Sequence, residues 1–171
     1  MTSCNHPYGL HRSRDQKFFK GVKLISLRKC ETPSFTYTDF DCYVSQTFNV
    51  IKSSRIDMKY LCGLLNSTLI KFWLLKKGKM QGSQFQVDKE PLLEIPIYVP
   101  TDKKQLDKVA QEVDKVIALK ETFYKAKTEG DKTFYQNQII SIESSIDELI
   151  FDLYGIKENE RITINTILKK M

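Results

Sequence analysis

The sequence predicts an α/β (α+β) module up to about Pro100, followed by an antiparallel helical hairpin. Two observations predict it. Up to Pro100 the apolar residues fall in short mixed runs broken by turn residues, whereas from Leu106 to Leu153 they recur at sustained three- and four-residue spacing. The charge divides at the same place: residues 1–100 carry 15 Lys and Arg against 8 Asp and Glu, a net +7, and residues 101–171 carry 12 against 13, a net −1. A chain of 171 residues can bury a real core. We therefore expect a basic unit at 1–100 and a charge-balanced one at 101–171.

Val22 to Leu27 reads as a short strand ending in Arg28-Lys29, and Phe35 to Tyr37 as a second extended piece. Cys42 to Ile51 has the β-branched and aromatic content of a strand or hairpin arm. Asp57 is suited to cap a helix running through Leu65 with Leu61, Leu64 and Leu65 inward, and Asn66-Ser67 can close it and cap a second helix carrying Leu69, Ile70, Phe72 and Trp73. Gly78 ends that helix, and Gly78 to Gln86 reads as a polar loop. Leu92 to Pro100 reads as a buried edge strand, because Pro96 and Pro100 exclude a helix or a central strand.

Beyond Pro100 the pattern is purely helical. Leu106, Val109, Val113, Val116 or Ile117, and Phe123 make one apolar stripe; Phe134, Ile139, Ile142, Ile146, Leu149, Ile150 and Leu153 make another. Glu129-Gly130-Asp131 reads as the break between them and Gly155 as the stop after the second. Two such helices joined by a short turn bury their stripes on each other.

The chemistry concentrates between Lys71 and Pro96. Lys76, Lys77 and Lys79 stand at the end of an apolar helix, and no acidic residue occurs between Asp57 and Asp88 to offset them. The segment that follows combines cations able to neutralise phosphates with Gln81, Ser83, Gln84 and Gln86, whose amides and hydroxyl can pair with base edges. A basic unit beside a neutral one suggests a polyanion partner for the first only. No apolar run approaches the roughly 20 residues that span a bilayer, and Met1 to His6 lacks a signal-peptide core, so a cytoplasmic protein without membrane contact is expected. Cys4, Cys30, Cys42 and Cys62 are scattered without C-x-x-C pairing, which fits reduced thiols; Cys42 and Cys62, among apolar neighbours, read as core.

Taken together, Tyr8-Gly9-Leu10-His11-Arg12-Ser13-Arg14, Lys23 to Lys29, Leu61-Cys62-Gly63-Leu64-Leu65-Asn66-Ser67 running on to Phe72-Trp73, Gly82 to Pro96 with its Lys89-Glu90-Pro91-Leu92 turn, and Ile146 to Gly155 carry a resemblance. In this order and spacing the chain resembles the TaqI-like C-terminal specificity (target-recognition) domain of type IIG restriction-modification enzymes, related to half of a type I specificity subunit. The resemblance implies a non-catalytic reader of double-stranded DNA, with 1–100 as the target-recognition domain and 101–171 as a helical spacer and docking hairpin. It implies a DNA adenine methyltransferase and endonuclease domain as partner, fused upstream or held as a separate subunit. S-adenosylmethionine and Mg are expected in those catalytic domains and no cofactor in this chain.

Arg28 and Lys29 can reach a phosphate or a guanine edge from a strand end, or simply face solvent. For Lys76, Lys77 and Lys79 we favour phosphate over a mere interaction with the helix dipole. The resemblance raises Gln81, Ser83, Gln84 and Gln86 above a solvated loop. His11, Arg12 and Arg14 form a basic knot that can grip phosphate, or the tail of a linker. Phe35, Tyr37, Phe40 and Tyr43 can stack on a base, although aromatics at strand-like spacing favour the core. Three catalytic patterns fail. Asn5-His6-Pro7-Tyr8 lacks the second proline of the methyltransferase N-P-P-Y motif, and no glycine-rich turn after a strand accompanies it. Asp57-Met58-Lys59 has nuclease-like spacing without an upstream Pro-Asp, and Cys4, His6 and His11 lack a fourth zinc ligand. A competing reading makes the helical hairpin a protein-interaction or scaffold surface.

Overall fold

The computed structural model describes residues 15–170. After a single 3-10 turn at Gln16–Phe18, strand β1 (Lys23–Leu27) lies between β3 (Phe35–Thr38) and β4 (Phe48–Ile51), antiparallel to both. A second three-stranded sheet is ordered β2 (Lys29–Cys30), β6 (Gln84–Gln86), β5 (Lys79–Gln81). Helices α1 (Met58–Asn66) and α2 (Thr68–Lys77) follow the first sheet, and a one-turn helix α3 (Lys89–Leu93) follows the second. Helices α4 (Lys103–Lys125), α5 (Glu129–Leu153) and α6 (Glu158–Leu168) complete the described chain. The fold is thus mixed α and β, with α4 and α5 packed as a hairpin.

Local signals in the sequence explain most of these elements. Asp57 Oδ1 accepts the N–H groups of Lys59 and Tyr60 at 2.9 Å and starts α1, which buries Leu61, Leu64 and Leu65. Ser67 closes α1 and caps α2 through the Ile70 N–H. Gly78 ends α2 in extended conformation, where an added Cβ would sit 2.5 Å from the Leu74 carbonyl oxygen. Gly155, at φ +64°, allows a left-handed stop after α5 in which Ile156 N–H reaches Phe151 O and Gly155 N–H reaches Asp152 O.

Several expectations are corrected. The loop from Gly78 to Gln86 is a β-hairpin, closed by Gly82-Ser83 with Gly82 at φ +64°. No described residue other than glycine has positive φ, so the turn is the type II′ kind, whose twist suits a hairpin. Within Cys42 to Ile51 only Phe48–Ile51 is strand, and Gln46-Thr47 is a turn. Leu92 to Pro100 is not an edge strand: Leu92 and Leu93 end α3, and Ile95 to Pro100 is a strap that pairs with no strand among the described residues. Pro96 and Pro100 offer no N–H for a ladder. Side chains bond the strap instead: Tyr60 donates to Tyr98 O at 2.5 Å, Tyr154 donates to Pro96 O at 2.7 Å, and Tyr98 N–H donates to the Tyr154 hydroxyl at 3.0 Å. Burial pushes both tyrosine hydroxyls above their ordinary pKa, keeping them protonated donors.

The hairpin turn lies at residues 126–128 rather than at Glu129-Gly130-Asp131. Thr128 caps α5 by accepting from Asp131 N–H at 3.0 Å, and Glu129 and Asp131 place negative charge at its N-terminus. Phe134 leaves the predicted stripe and is 58% exposed. It precedes Ile139 by five residues, which turns it about 140° away from the buried face. Helix α6, which the stripe pattern did not separate from the hairpin, returns to α2. It is tied to α5 by Arg161, which bonds Glu148, Asp152 and Ile156 O. One core cluster runs from Leu24 and Phe35 through Leu64, Ile70 and Phe85 to Val109, Ile139 and Ile150, crossing residue 100.

Candidate nucleic-acid interface

Strands β1 and β2 are nearly one strand that changes sheets at Arg28. Its N–H bonds Thr47 O at 2.9 Å on the first sheet's side, and its carbonyl accepts from Val87 N–H at 2.7 Å on the second's. Asn49 Nδ2 reinforces the joint by donating to Val87 O at 2.8 Å. Residues on both sides are therefore held in fixed register where the two sheets meet.

The second sheet has two unlike faces. Phe85 and Val87 are buried, with Cys30 and Met80 beside Phe85 in the ladder. On the opposite face Gln86 lies across from Lys29 on one side and Lys79 on the other, and Gln84 across from Gln81. Direct cross-strand partners share a face, as do residues two apart along a strand. Lys29, Lys79, Gln81, Gln84 and Gln86 thus form one polar surface, with Ser83 at the tip of its hairpin. The alternation that hides Phe85 is the same alternation that presents the glutamines.

A cleft of about 710 Å³ opens beside this surface. Arg28, Lys29, Gln81 and Gln86 line it together with Leu27, Gln46, Thr47 and Asp88. Arg28 Nη2 donates to Asp88 Oδ1 at 3.0 Å, and Gln86 Nε2 donates to Asp88 Oδ2 at 2.9 Å. A second trough of about 660 Å³, with Phe18, Phe48, Leu92 and Leu93 in its walls, shares Arg28 and Gln46 with the first. Gln46, Thr47 and Asp88 escaped the sequence reading. The polar triplet Ser45-Gln46-Thr47 inside a largely apolar run was the signal for the first two; nothing local marked Asp88.

The remaining candidates lie elsewhere. Lys76 and Lys77 are exposed in the last turn of α2 and do not line the cleft; Lys76 Nζ stands 5.6 Å from the Phe72 ring centroid. Gly78 alone separates them from Lys79, so the three cations stay contiguous. Arg12 and Arg14, with Cys4, His6, His11 and the Asn5 to Tyr8 string, lie outside the described residues. Phe35 is buried and Tyr37 half-buried, whereas Phe40 and Tyr43 are 62% and 68% exposed, with Tyr43 stacked 5.1 Å from Phe19. Cys62 is core and its thiol is pushed up to about 11 by burial; Cys42 is half-buried. Asp57 and Lys59 have structural partners, Asp57 capping α1 and Lys59 pairing with Asp114 of α4 at 2.6 Å. Among the described residues no group of three or more His, Cys, Asp or Glu could hold a metal ion, and no helix is long and apolar enough to cross a membrane.

The model of the TaqI-like C-terminal specificity domain matches residues 5–97, more than half of the chain. The chain belongs to this family. Membership in the TaqI-like specificity domains supports a role in DNA recognition within restriction-modification. The matched stretch contains both sheets, α1 to α3 and every residue of the cleft. Curated proteins yield no match to the chain.

Proposed function

We propose that this protein is the sequence-reading, non-catalytic specificity module of a type IIG-like restriction-modification enzyme, acting on double-stranded DNA. The observation that carries the reading is the joining of Arg28 and Lys29 with Lys79, Gln81, Gln84 and Gln86 along one sheet face and its cleft. Lysines supply phosphate contacts and amides supply paired donors and acceptors for base edges, which is the division of labour in direct readout. Residues 1–100 do the reading, and residues 101–171 space and dock the reader on a cytoplasmic methyltransferase and endonuclease domain. S-adenosylmethionine and Mg belong to that catalytic partner. Docking through the hairpin is favoured by Tyr124 and Phe134, 82% and 58% exposed near its tip.

A binding titration of duplex DNA over a salt series tests the proposal. The logarithm of the binding constant is expected to fall steeply and linearly with the logarithm of salt concentration, and one duplex sequence to bind above the rest. Salt-independent or absent binding, with capture of a protein partner by the hairpin alone, supports the scaffold reading instead.

A further inference from the structure

Asp88 occupies the N-cap position of α3, yet its side chain bonds none of that helix's free N–H groups. The other described aspartates at such positions, Asp15, Asp57 and Asp102, all cap with a side-chain oxygen, the arrangement that normally stabilises a helix start. Asp88 instead directs one oxygen to Arg28 and the other to Gln86. Its side chain is only 21% exposed, against 50% for Arg28. A carboxylate forgoing its own helix to hold two candidate base readers points to a role in the cleft.

The hydrogen-bond inventory says what that role is. A carboxylate only accepts, so Gln86 must turn Nε2 toward it, which fixes the orientation of the amide. Among the described residues Oε1 and one N–H of Gln86 have no other partner; with the outer N–H on Asp88, Oε1 and the N–H beside it are the acceptor and donor that N6–H and N7 of adenine require. Asp88 engages one Nη2 hydrogen of Arg28, and whichever hydrogen that is, one two-donor edge of the guanidinium has no partner among the described residues and can meet O6 and N7 of guanine. Without such a partner a half-exposed arginine can turn to a phosphate, which carries no sequence information. We propose that Asp88 is a positioning residue that makes Arg28 a reader of guanine, with Gln86 held beside it to read adenine at a neighbouring base pair. This rests on the double-stranded DNA reading proposed above.

The test selects preferred duplexes from a pool with a randomised centre, using the full chain. Each variant is then titrated against single-base changes of the selected site. The wild-type site is expected to contain a guanine whose replacement weakens binding between about 5- and 150-fold, the discrimination one bidentate contact supplies. Asp88→Asn is expected to lose most of that discrimination while binding unrelated duplexes more tightly, since a negative charge leaves the cleft and every phosphate contact stays. Asp88→Glu keeps the charge, displaces the acceptors, and is expected to lose the guanine at unchanged affinity for unrelated duplexes. Arg28→Ala loses the same guanine, and the double variant with Asp88→Asn loses no more. Gln86→Ala loses an adjacent adenine instead. Uniform weakening of every duplex by Asp88→Asn with guanine discrimination intact is the signature of a merely structural role and overturns the proposal. An effect at a different base pair from that of Arg28→Ala overturns it as well. A wild-type chain that selects no sequence removes the reader itself, an outcome distinct from a selective wild type whose Asp88 variants read unchanged.

Discussion

Lys79 and Gln86 stand side by side on one sheet face, yet removing each should change a different quantity. An ammonium on a phosphate releases counterions and carries no sequence information, whereas an amide on a base edge discriminates and releases none. Replacing Lys76, Lys77 or Lys79 by Ala should therefore weaken binding to all duplexes alike and reduce the salt slope by about one for each phosphate left without its lysine. Replacing Gln81, Gln84 or Gln86 should change discrimination at one base pair by about 1–3 kcal/mol and leave the slope alone. Competition titrations of each variant against single-base site changes decide between these effects. Lysine variants that alter sequence preference beside silent glutamine variants would move the reading surface to Arg28, Lys29 and the residues around Phe40 and Tyr43.

Two contacts lock the helices to the reading unit, and both are open to test. In α1, a Cβ at Gly63 would lie 2.8 Å from Val109 Cγ1 and 3.0 Å from Val113 Cγ2 of α4, so glycine sets how closely the hairpin approaches. Overpacking there costs about 1–3 kcal/mol, and the better helix propensity of alanine offsets about 1. Gly63→Ala should thus lower stability by about 1 kcal/mol net, read as a lower urea midpoint at an unchanged slope. On α5, Asp147 accepts the Thr68 N–H at 2.7 Å and the Thr68 hydroxyl, tying α5 to the start of α2. Burial raises its carboxyl above the ordinary 3.8, although the two Thr68 bonds oppose the shift. A folded pKa above the unfolded one means the group's stabilising contribution is full below about 3.8 and is lost as pH rises through the raised value. Asp147→Asn, which cannot ionise and can still bond Thr68, should remove that loss, so its stability relative to wild type should rise with pH across this window. Asp147→Ala should cost about 2 kcal/mol at neutral pH by removing both bonds to Thr68. Denaturation of the three proteins over a pH series checks both. The caps that start α1 and α2 and the glycine stop after α5 were legible because each signal lies within four residues of what it controls. The ladder of Gln86 with Lys29 was not, because it joins positions 57 apart, and the Tyr60 and Tyr154 bonds to the strap were hidden for the same reason. The individual lysines and glutamines could be named from the sequence, but the carboxylate between Arg28 and Gln86 could not.

At the scale of the whole chain the family match and the folding unit have different extents. The match stops at residue 97, whereas the core continues from Leu64 and Ile70 into Val109, Val113, Ile139, Ile146 and Ile150. One face of α1 is covered by α4, Lys59 of α1 pairs with Asp114, and α6 packs back on α2. Reading and spacing can be separate tasks on a single cooperative structure, since nothing requires a functional boundary to be a boundary of packing. Cutting the chain near Pro100 would expose the apolar side of α1, remove Asp147 from the start of α2 and deprive the strap of Tyr154. Burial of that surface is the largest favourable term available to the first 100 residues, and they cannot replace it from within. The full chain should therefore unfold in one transition by heat or denaturant, with calorimetric and van't Hoff enthalpies in agreement. A fragment ending near Pro100 should lack a cooperative transition and bind a hydrophobic dye. Two well-separated transitions in the full chain, or a fragment that melts cooperatively and still selects the full chain's DNA site, would show that the reader folds without its helices and that the α1–α4 contact only orients it.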